Sequence, residues 1–388
     1  MNTSTIRLLT KTMDQKISAL PEQIRPWTTE YKTMPRTAIV TGPAKCGKTT
    51  FLIYQAKDKN LMYFSASNPV FPPESLYSFV SDIFMLGFDG VIIDDVHFAK
   101  DWNNNLKDLC DNFPDKIIWA CSSSEQIFRK SKGELSKRFT SIKMPLLSFR
   151  EFLFLETGEL YPVYDFASKN LPVQPDSKIL SLFRKYREYG TRPTYKSGNF
   201  EDNAISLMNN VFFAEIPFFL ETATDDNLRL MKAIANCLLV SDSLKIPVRQ
   251  LCTEWTIGAE KLYHLLRIME SSGIIKIIRA ENDNKIMTAG SKLFLSDSCL
   301  YKAFCDNENI EREAFVTMCF SQLGYEIEAA KTNSSIIVTS SLRKGYNRYI
   351  LDIDGNSKKT RQHDFLLKDN IDLPSENIIP FWLLGMMW

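Results

Sequence analysis

The sequence lacks several features that mark other classes of protein. It contains no apolar run near the roughly eighteen residues that a membrane span needs. Its opening stretch, MNTSTIRLLTKTMDQK, has no continuous apolar segment of the kind found in secretion signals. Neither sign of charge dominates, because 47 Lys and Arg residues are balanced by 46 Asp and Glu residues. We therefore expect a cytoplasmic protein without membrane contact, whose surface as a whole does not attract polyanions.

Cysteine is present, but not at the spacing of a metal site or a disulfide framework. The eight cysteines lie at positions 46, 110, 121, 237, 252, 299, 305 and 319. None forms a CxxC pair, and none has a histidine at zinc-ligand spacing, so reduced and buried thiols are expected. His97 and His264 likewise have no metal partner in the sequence, and we interpret both as structural.

Short apolar strands alternate with helical stretches between residues 36 and 149. The predicted strands are TAIVTG (37–42), LMYFSA (61–66), GVIIDD (90–95) and KIIWACS (116–122). This alternation is typical of a parallel sheet in an α/β fold. Residues 1–35 are predicted to form an amphipathic helical lead-in to this core.

The rest of the chain divides into three predicted segments. Residues 150–227 have mostly helical patterns and are interpreted as a lid. Residues 228–300 contain three predicted helices followed by a hairpin that turns at Glu281–Asn284, the order of a winged helix. Residues 301–388 combine one helix, 309–323, with strand-like pieces, which predicts a small α+β domain.

A glycine-containing turn, TGPAKCGKTTFLIYQ, follows the first predicted strand. It holds the spacing Gly-x-x-x-x-Gly-Lys-Thr between a strand and a helix, which is typical of a phosphate-binding loop. The glycines let backbone N–H groups point at phosphate oxygens, and the helix N-terminus adds partial positive charge. The expected ligands are ATP and Mg²⁺. The predicted binding residues are Gly42, Pro43, Ala44, Lys45, Cys46, Gly47, Lys48, Thr49 and Thr50.

Two acids end the third predicted strand, in GVIIDDVHF. Asp94 is predicted to orient Mg²⁺ together with Thr49, and Asp95 to polarise the attacking water. Glu is usual at the second position, and misplacing a base by about an ångström can cost around a hundredfold in rate. Two functions therefore stay open: a slow ATPase, and a non-hydrolysing module whose domain arrangement is gated by the nucleotide.

Two further elements are candidates for sensing the γ-phosphate. Ser122 or Ser123 ends the strand KIIWACS, although the polar run there also fits an ordinary helix cap. Arg138, in GELSKRF, could reach a γ-phosphate in its own subunit or across an oligomer interface, with a solvated arginine as the alternative.

Several sequence blocks, taken in order, resemble predicted prokaryotic ATPases of the AAA+ superfamily with a C-terminal domain of unknown function. The blocks are GPAKCGKTTFL, VIIDDVHFAKDW, IIWACSSSEQIF, GELSKRF, MPLLSFREFLFL and NNVFFAEIP. The resemblance implies an ATP site made by the loop, Asp94 and Asp95, with Ser122 or Ser123 as the sensor. It also aligns Arg138 with the arginine of a Gly-Arg motif, whose glycine is here Lys137.

In relatives the C-terminal region resembles a restriction endonuclease, with a helical Glu, an Asp and an acid-x-Lys element. Here Glu311 or Glu313 lies on the predicted helix, and RYILDIDG offers Asp352 and Asp354 without the lysine. Two-metal cleavage needs carboxylates that converge on the scissile phosphate. We expect a nuclease-like fold that does not cleave and that engages a protein partner.

The winged-helix segment offers a candidate DNA contact. Its recognition helix is predicted over Ala259–Ser271, and the apolar stripe on this helix should be core. That stripe consists of Leu262, Leu265, Leu266 and Met269. The outward basic residues are Lys261, His264 and Arg267, joined by Lys276 and Arg279 in the wing. Glu260 and Glu270 dilute this charge, so protein contact is the alternative to DNA contact.

Overall fold

The computed structural model describes most of the chain and divides it into two compact units, Met1–Pro145 and Leu146–Trp388. The described residues are 3–69, 71, 75–123, 133–165, 170–219, 224–240, 248–283, 291–305, 307–330, 335–340, 347–353 and 363–388.

A five-stranded sheet, in the order β2-β3-β4-β1-β5, forms the centre of the first unit. The strands are β1 (Thr37–Thr41), β2 (Leu61–Ser65), β3 (Gly90–Asp94), β4 (Ile117–Ser122) and β5 (Thr140–Lys143). All neighbouring strands run parallel. Their carboxyl ends therefore meet at one edge of the sheet, which is where ligands bind in open α/β folds.

Within the part of this unit that the structure describes, five α-helices cover the sheet. They are α1 (Thr3–Ser18), α2 (Pro26–Glu30), α3 (Lys48–Ala56), α4 (Leu76–Met85) and α5 (Trp102–Asn112). One buried cluster joins one face of the sheet to α4 and α5, and a second joins the other face to α3. The edge strand β2 contacts α1, whose Leu9 belongs to the first cluster and Met13 to the second. The inner strands are buried on both faces, as expected of a parallel sheet.

The second unit combines helices with a mixed sheet of seven strands, in the order β12-β11-β10-β9-β8-β6-β7. Its strands are β6 (Ile275–Ala280), β7 (Lys292–Leu295), β8 (Glu326–Ala329), β9 (Ser335–Thr339), β10 (Arg348–Ile353), β11 (Phe365–Lys368) and β12 (Ile378–Pro380). Its α-helices are Phe149–Thr157, Ser177–Tyr189, Phe200–Asn210, Ile216–Phe219, Asp225–Val240, Val248–Glu254, Ala259–Ser271, Cys299–Phe304, Glu308–Gln322 and Phe381–Leu384. Among the described helices of both units, none is long and apolar enough to cross a bilayer.

The four strands predicted for the core are confirmed, and the fold is the predicted α/β class with a P-loop sheet. Sequence reasoning missed β5, in which only Ile142 is buried, so no apolar run marks the strand. The first unit ends at Pro145, and the boundary of the core at residue 149 stays a prediction.

The described residues of the predicted winged-helix segment contain three helices followed by the antiparallel pair β6 and β7. The apolar stripe of the helix Ala259–Ser271 is buried, as expected. Part of the predicted turn at Glu281–Asn284 lies outside the described residues. Strand β6 also pairs in parallel with β8, so the sheet continues into the C-terminal segment. The boundaries of the lid, winged helix and C-terminal domain stay predictions.

Candidate functional site

The loop between β1 and α3 contains the positive backbone φ angles that its glycines allow. Gly47 has a φ of 106° and directly precedes α3, and Lys45 has a φ of 60°. A Cβ atom added to Gly42 would lie 2.3 Å from the carbonyl oxygen of Met144, so the close approach of these two backbone segments requires glycine. The loop therefore has a backbone that larger residues at its glycine positions would disturb.

Lys48, the first residue of α3, is buried and folds back over the loop. Its Nζ donates to the carbonyl oxygens of Gly42 and Pro43, both at 2.9 Å. The ammonium group thus lies at the centre of the loop, where a phosphate group would meet it. Thr49 and Thr50 follow in the first turn of the helix.

A buried carboxylate, Asp94, lies beside the loop at the end of β3. Its Oδ2 accepts hydrogen bonds from the hydroxyls of Thr49 and Tyr63, each at 2.8 Å. Its Oδ1 accepts from the thiol of Cys121 and from the backbone N–H of Asp95. The structure therefore brings the two predicted metal ligands, Thr49 and Asp94, into direct contact.

Tyr63 and Cys121 are protonated donors to this carboxylate. Burial raises the pKa of Tyr63, and the negative charge of Asp94 raises it further. Burial likewise raises the pKa of the Cys121 thiol, with Asp94 acting in the same direction and Lys48 opposing. Both side chains therefore keep their protons near neutral pH and donate to Asp94.

The pair Thr49 and Asp94 suits a magnesium ion. Mg²⁺ prefers oxygen ligands and is usually held by one or two carboxylates together with phosphate oxygens and water. A hydroxyl oxygen and a buried carboxylate in mutual contact provide that chemistry next to the phosphate loop. The described residues contain no cluster of three or more His, Cys, Asp or Glu side chains at which a metal could be held by the protein alone.

Asp95 lies at the same edge of the sheet in a less common backbone conformation. Its φ of 49° is in the left-handed region, which costs energy for a residue other than glycine. Its half-buried carboxylate accepts a hydrogen bond from the hydroxyl of Ser67 at 3.3 Å. The side chain thus lies next to Asp94 in sequence and faces the segment that follows β2.

Ser122, at the end of β4, is buried, and its hydroxyl oxygen lies 3.1 Å from Nδ1 of His97. Burial lowers the pKa of His97 to about 3, Lys48 acting in the same direction and Asp94 opposing it. The imidazole is therefore neutral near pH 7, and it orients the hydroxyl of the predicted sensor. The sequence interpretation of His97 as structural missed this contact. Ser123 follows and is also buried.

Arg138 does not join the other predicted residues. Its guanidinium binds both carboxylate oxygens of Asp111 at 2.8 Å and also contacts Glu134. Its carbonyl accepts from the hydroxyl of Thr37, at the start of β1, whereas the phosphate loop follows Thr41 at the other end of this strand. The five residues of β1, at about 3.3 Å each, separate the amino ends of the strands from their carboxyl ends. Arg138 therefore lies far from the loop of its own chain.

Arg25 lies in the N-terminal segment, outside the sequence motif, and its side chain binds the loop. The buried guanidinium donates through Nη1 to the carbonyl oxygens of Cys46 at 2.8 Å and Pro145 at 3.1 Å. The only signal of this contact in the sequence is a basic residue shortly before the core. Basic residues are common in that segment, so the signal does not single out Arg25.

In the second unit the candidate nuclease acids are held by cations or lie apart. Glu311 is fully buried and binds Arg187, and Glu313 binds Lys292 at 2.6 Å. Asp352 is buried in β10, and Asp354 lies outside the described residues. These acids do not form a described cluster of metal ligands.

The part of the chain that contains the loop is similar to a known protein family. Residues 35–153, less than half of the chain, match the family model of an AAA domain. No curated protein matches the chain. Among solved structures, the chain is similar to the Walker-type ATPase PABY2304 of Pyrococcus abyssi at 12% identity and a TM-score of 0.44, over 76% of this chain and 94% of that one. The family match supports an AAA-type P-loop domain in residues 35–153, and with it a nucleotide-binding ATPase at the level of the family.

Proposed function

We propose that the chain binds ATP with Mg²⁺ at the loop between β1 and α3 and hydrolyses it slowly. The observation that carries this proposal is the 2.8 Å hydrogen bond from Thr49 to Asp94. It joins the start of α3 to the end of β3 and combines a hydroxyl with a buried carboxylate. When bound, Mg²⁺ would neutralise charge on the β- and γ-phosphates.

The loop supplies the phosphate contacts. Backbone N–H groups at the start of α3 carry partial positive charge and bind phosphate oxygens. Lys48 exchanges its two carbonyl partners, Gly42 and Pro43, for the β- and γ-phosphates. Ser122, oriented by the neutral His97, lies at the same edge of the sheet and senses the γ-phosphate.

Asp95 acts as the base for hydrolysis. Its carboxylate accepts a proton from the water that attacks the γ-phosphate in line. Its side chain is one methylene shorter than the usual Glu, and it also binds Ser67, so the base lies at a less favourable distance from the water. The same observation favours the second candidate function, a module that binds ATP without hydrolysis and responds to the nucleotide.

The second unit couples the nucleotide state to a partner. Lys261, His264 and Arg267 are exposed on the helix Ala259–Ser271 and provide contacts for DNA phosphates. Arg279 contributes less, because it pairs with Glu270 at 3.0 Å. Residues 301–388 engage a protein partner, and Arg138 acts on ATP only across an interface between copies of the chain.

The test compares wild type with Lys48→Ala in ATP binding and phosphate release. We expect wild type to bind ATP and Lys48→Ala to lose binding, because the loop loses its cation. Lys57→Ala is the matched control, because Lys57 follows α3 and lies over the ring of Tyr54. Unchanged ATP affinity in a folded Lys48→Ala variant would contradict the proposal.

A further inference from the structure

Four donors surround Asp94 in the described part of the chain. The hydroxyls of Thr49 and Tyr63 share Oδ2, while the thiol of Cys121 and the N–H of Asp95 share Oδ1. A carboxylate offers about four lone-pair positions, two on each oxygen. The protein's own donors therefore fill the acceptor capacity of this side chain.

A metal that binds beside Thr49 brings water molecules of its own, because Mg²⁺ gives up its hydration shell reluctantly. A metal-bound water that donates to Asp94 needs one of the four acceptor positions. If such a water took one of these positions, one of the protein's donors would leave the carboxylate.

Tyr63 is the donor best able to leave. The N–H of Asp95 is fixed in the backbone next to the carboxylate, and Cys121 is fully buried within β4. Thr49 is the residue that would ligate the metal directly, whereas Asp94 would bind it through a water molecule. Tyr63 lies on the edge strand β2 and lines a cavity of about 420 Å³ that also borders Lys16. Tyr63 is itself buried, and Nζ of Lys16 lies 5.4 Å from the centre of its ring, so the cavity is the open volume next to this side chain.

We propose that the hydroxyl of Tyr63 competes with a metal-bound water for Oδ2 of Asp94 and thereby weakens the binding of ATP with Mg²⁺ relative to ATP alone. This inference rests on the proposed function of the loop. The competing contact is a charge-assisted hydrogen bond, which is stronger than one between neutral groups. Tyr63 thus sets how strongly the chain depends on Mg²⁺ when it retains the nucleotide.

The experiment measures the dissociation constant of a fluorescent ATP analogue in Mg²⁺ and in EDTA. Tyr63→Phe removes the hydroxyl and keeps the ring. We expect the dissociation constant in Mg²⁺ to fall about fivefold or more, and the value in EDTA to stay unchanged, because only the metal-bound state needs the acceptor position. An unchanged or weaker affinity in Mg²⁺ overturns the inference, since a donor that merely holds Asp94 in place would give that result.

Tyr77→Phe is the matched control. Its hydroxyl accepts from Asn112 at 3.0 Å in the same unit, away from Asp94. We expect both dissociation constants of this variant to equal those of wild type. If Tyr63→Phe does not fold, Tyr63→Leu also lacks the hydroxyl and replaces it in the same comparison.

A chain that does not bind ATP and a Tyr63 that does not compete for Asp94 would give different results in this experiment. If wild type does not bind the analogue with or without Mg²⁺, the proposed function is wrong and this inference with it. If wild type binds and neither variant at Tyr63 gains affinity in Mg²⁺, the inference about Tyr63 alone is wrong.

Discussion

Nη1 of Arg25 lies 2.8 Å from the carbonyl oxygen of Cys46, so a buried cation from outside the sequence motif holds the phosphate loop. The same nitrogen binds the carbonyl of Pro145, the last residue of the first unit. One side chain therefore links the N-terminal segment, the loop and the end of the core. We expect the conformation of the loop to depend on this contact.

We expect Arg25→Met to weaken ATP binding about tenfold. A hydrogen bond from a charged group contributes about 1.5–3 kcal/mol, and its loss leaves the carbonyl of Cys46 without this donor and the loop less ordered before ATP binds. Calorimetric titration of ATP into both proteins checks this expectation.

Arg36→Met is the matched control for Arg25. Arg36 also donates to backbone carbonyls, those of Phe113 and Lys116, but it lies at the amino end of β1. Its replacement should leave ATP affinity unchanged. Equal ATP affinities of wild type and a folded Arg25→Met variant would show that the loop does not need the arginine.

His97 should make the protein less stable as pH falls. The pKa of His97 is about 3 in the folded protein and near 6.5 in the unfolded chain, so only the unfolded chain takes up this proton between those values. Above pH 6.5 His97 is neutral in both the folded and the unfolded chain, so the stability of the folded state that depends on a neutral His97 is fully present. This stability falls by about 1.4 kcal/mol per pH unit as the pH is lowered towards 3. Urea unfolding at several pH values measures this slope.

His97→Gln removes the titration and keeps a hydrogen-bonding side chain near Ser122. We expect the variant to lose stability less steeply than wild type between pH 6.5 and pH 4. His264→Gln is the control, because His264 is exposed on its helix. Parallel curves for wild type and His97→Gln would mean that His97 is not held neutral by burial.

Gly42→Ala should destabilise the first unit by about 1–3 kcal/mol, the usual cost of forcing extra atoms into a packed site. The added Cβ would lie 2.3 Å from the backbone oxygen of Met144. Met144 directly follows β5, so this oxygen cannot move without a shift of the backbone at the end of that strand. Gly258→Ala is the control, because an added Cβ there meets nothing within 4 Å. Chemical unfolding compares the variants, and an equal loss of stability in both would refute the steric argument.

Phosphate release by variants of Asp95 distinguishes the two candidate functions. We expect wild type to release phosphate slowly, Asp95→Asn to release none, and Asp95→Glu to release it on the order of ten to a hundred times faster, because the longer side chain reaches the water. Single-turnover assays of phosphate release at saturating ATP measure all three. If wild type is as silent as Asp95→Asn while both bind ATP, the chain is a non-hydrolysing nucleotide-gated module.

Local patterns explain which parts of the structure could be predicted. The strands β1 and β3 are continuous apolar runs because both faces of the sheet are covered, and the loop is defined by residues close in sequence. The contacts of Tyr63 with Asp94 and of Arg25 with Cys46 join residues 31 and 21 positions apart, which no local spacing encodes.

Arg138 shows what a spacing along the sequence cannot predict. Its spacing after β4 fitted a γ-phosphate contact, but spacing does not say at which edge of the sheet a residue emerges. Residues 135–137 form a short turn that precedes β5, and this places Arg138 at the amino ends of the strands beside Asp111. The parallel direction of β5, which the sequence did not reveal, decides its position.

The most direct test of the account is a crystal structure of the protein with Mg²⁺ and a non-hydrolysable ATP analogue. We expect the phosphates to lie against the backbone N–H groups at the start of α3, with Nζ of Lys48 moved from the carbonyls of Gly42 and Pro43 to phosphate oxygens. We also expect the metal to lie beside Thr49 and Asp94. A loop without nucleotide at saturating analogue, with Lys48 still bound to those two carbonyls, would contradict this expectation.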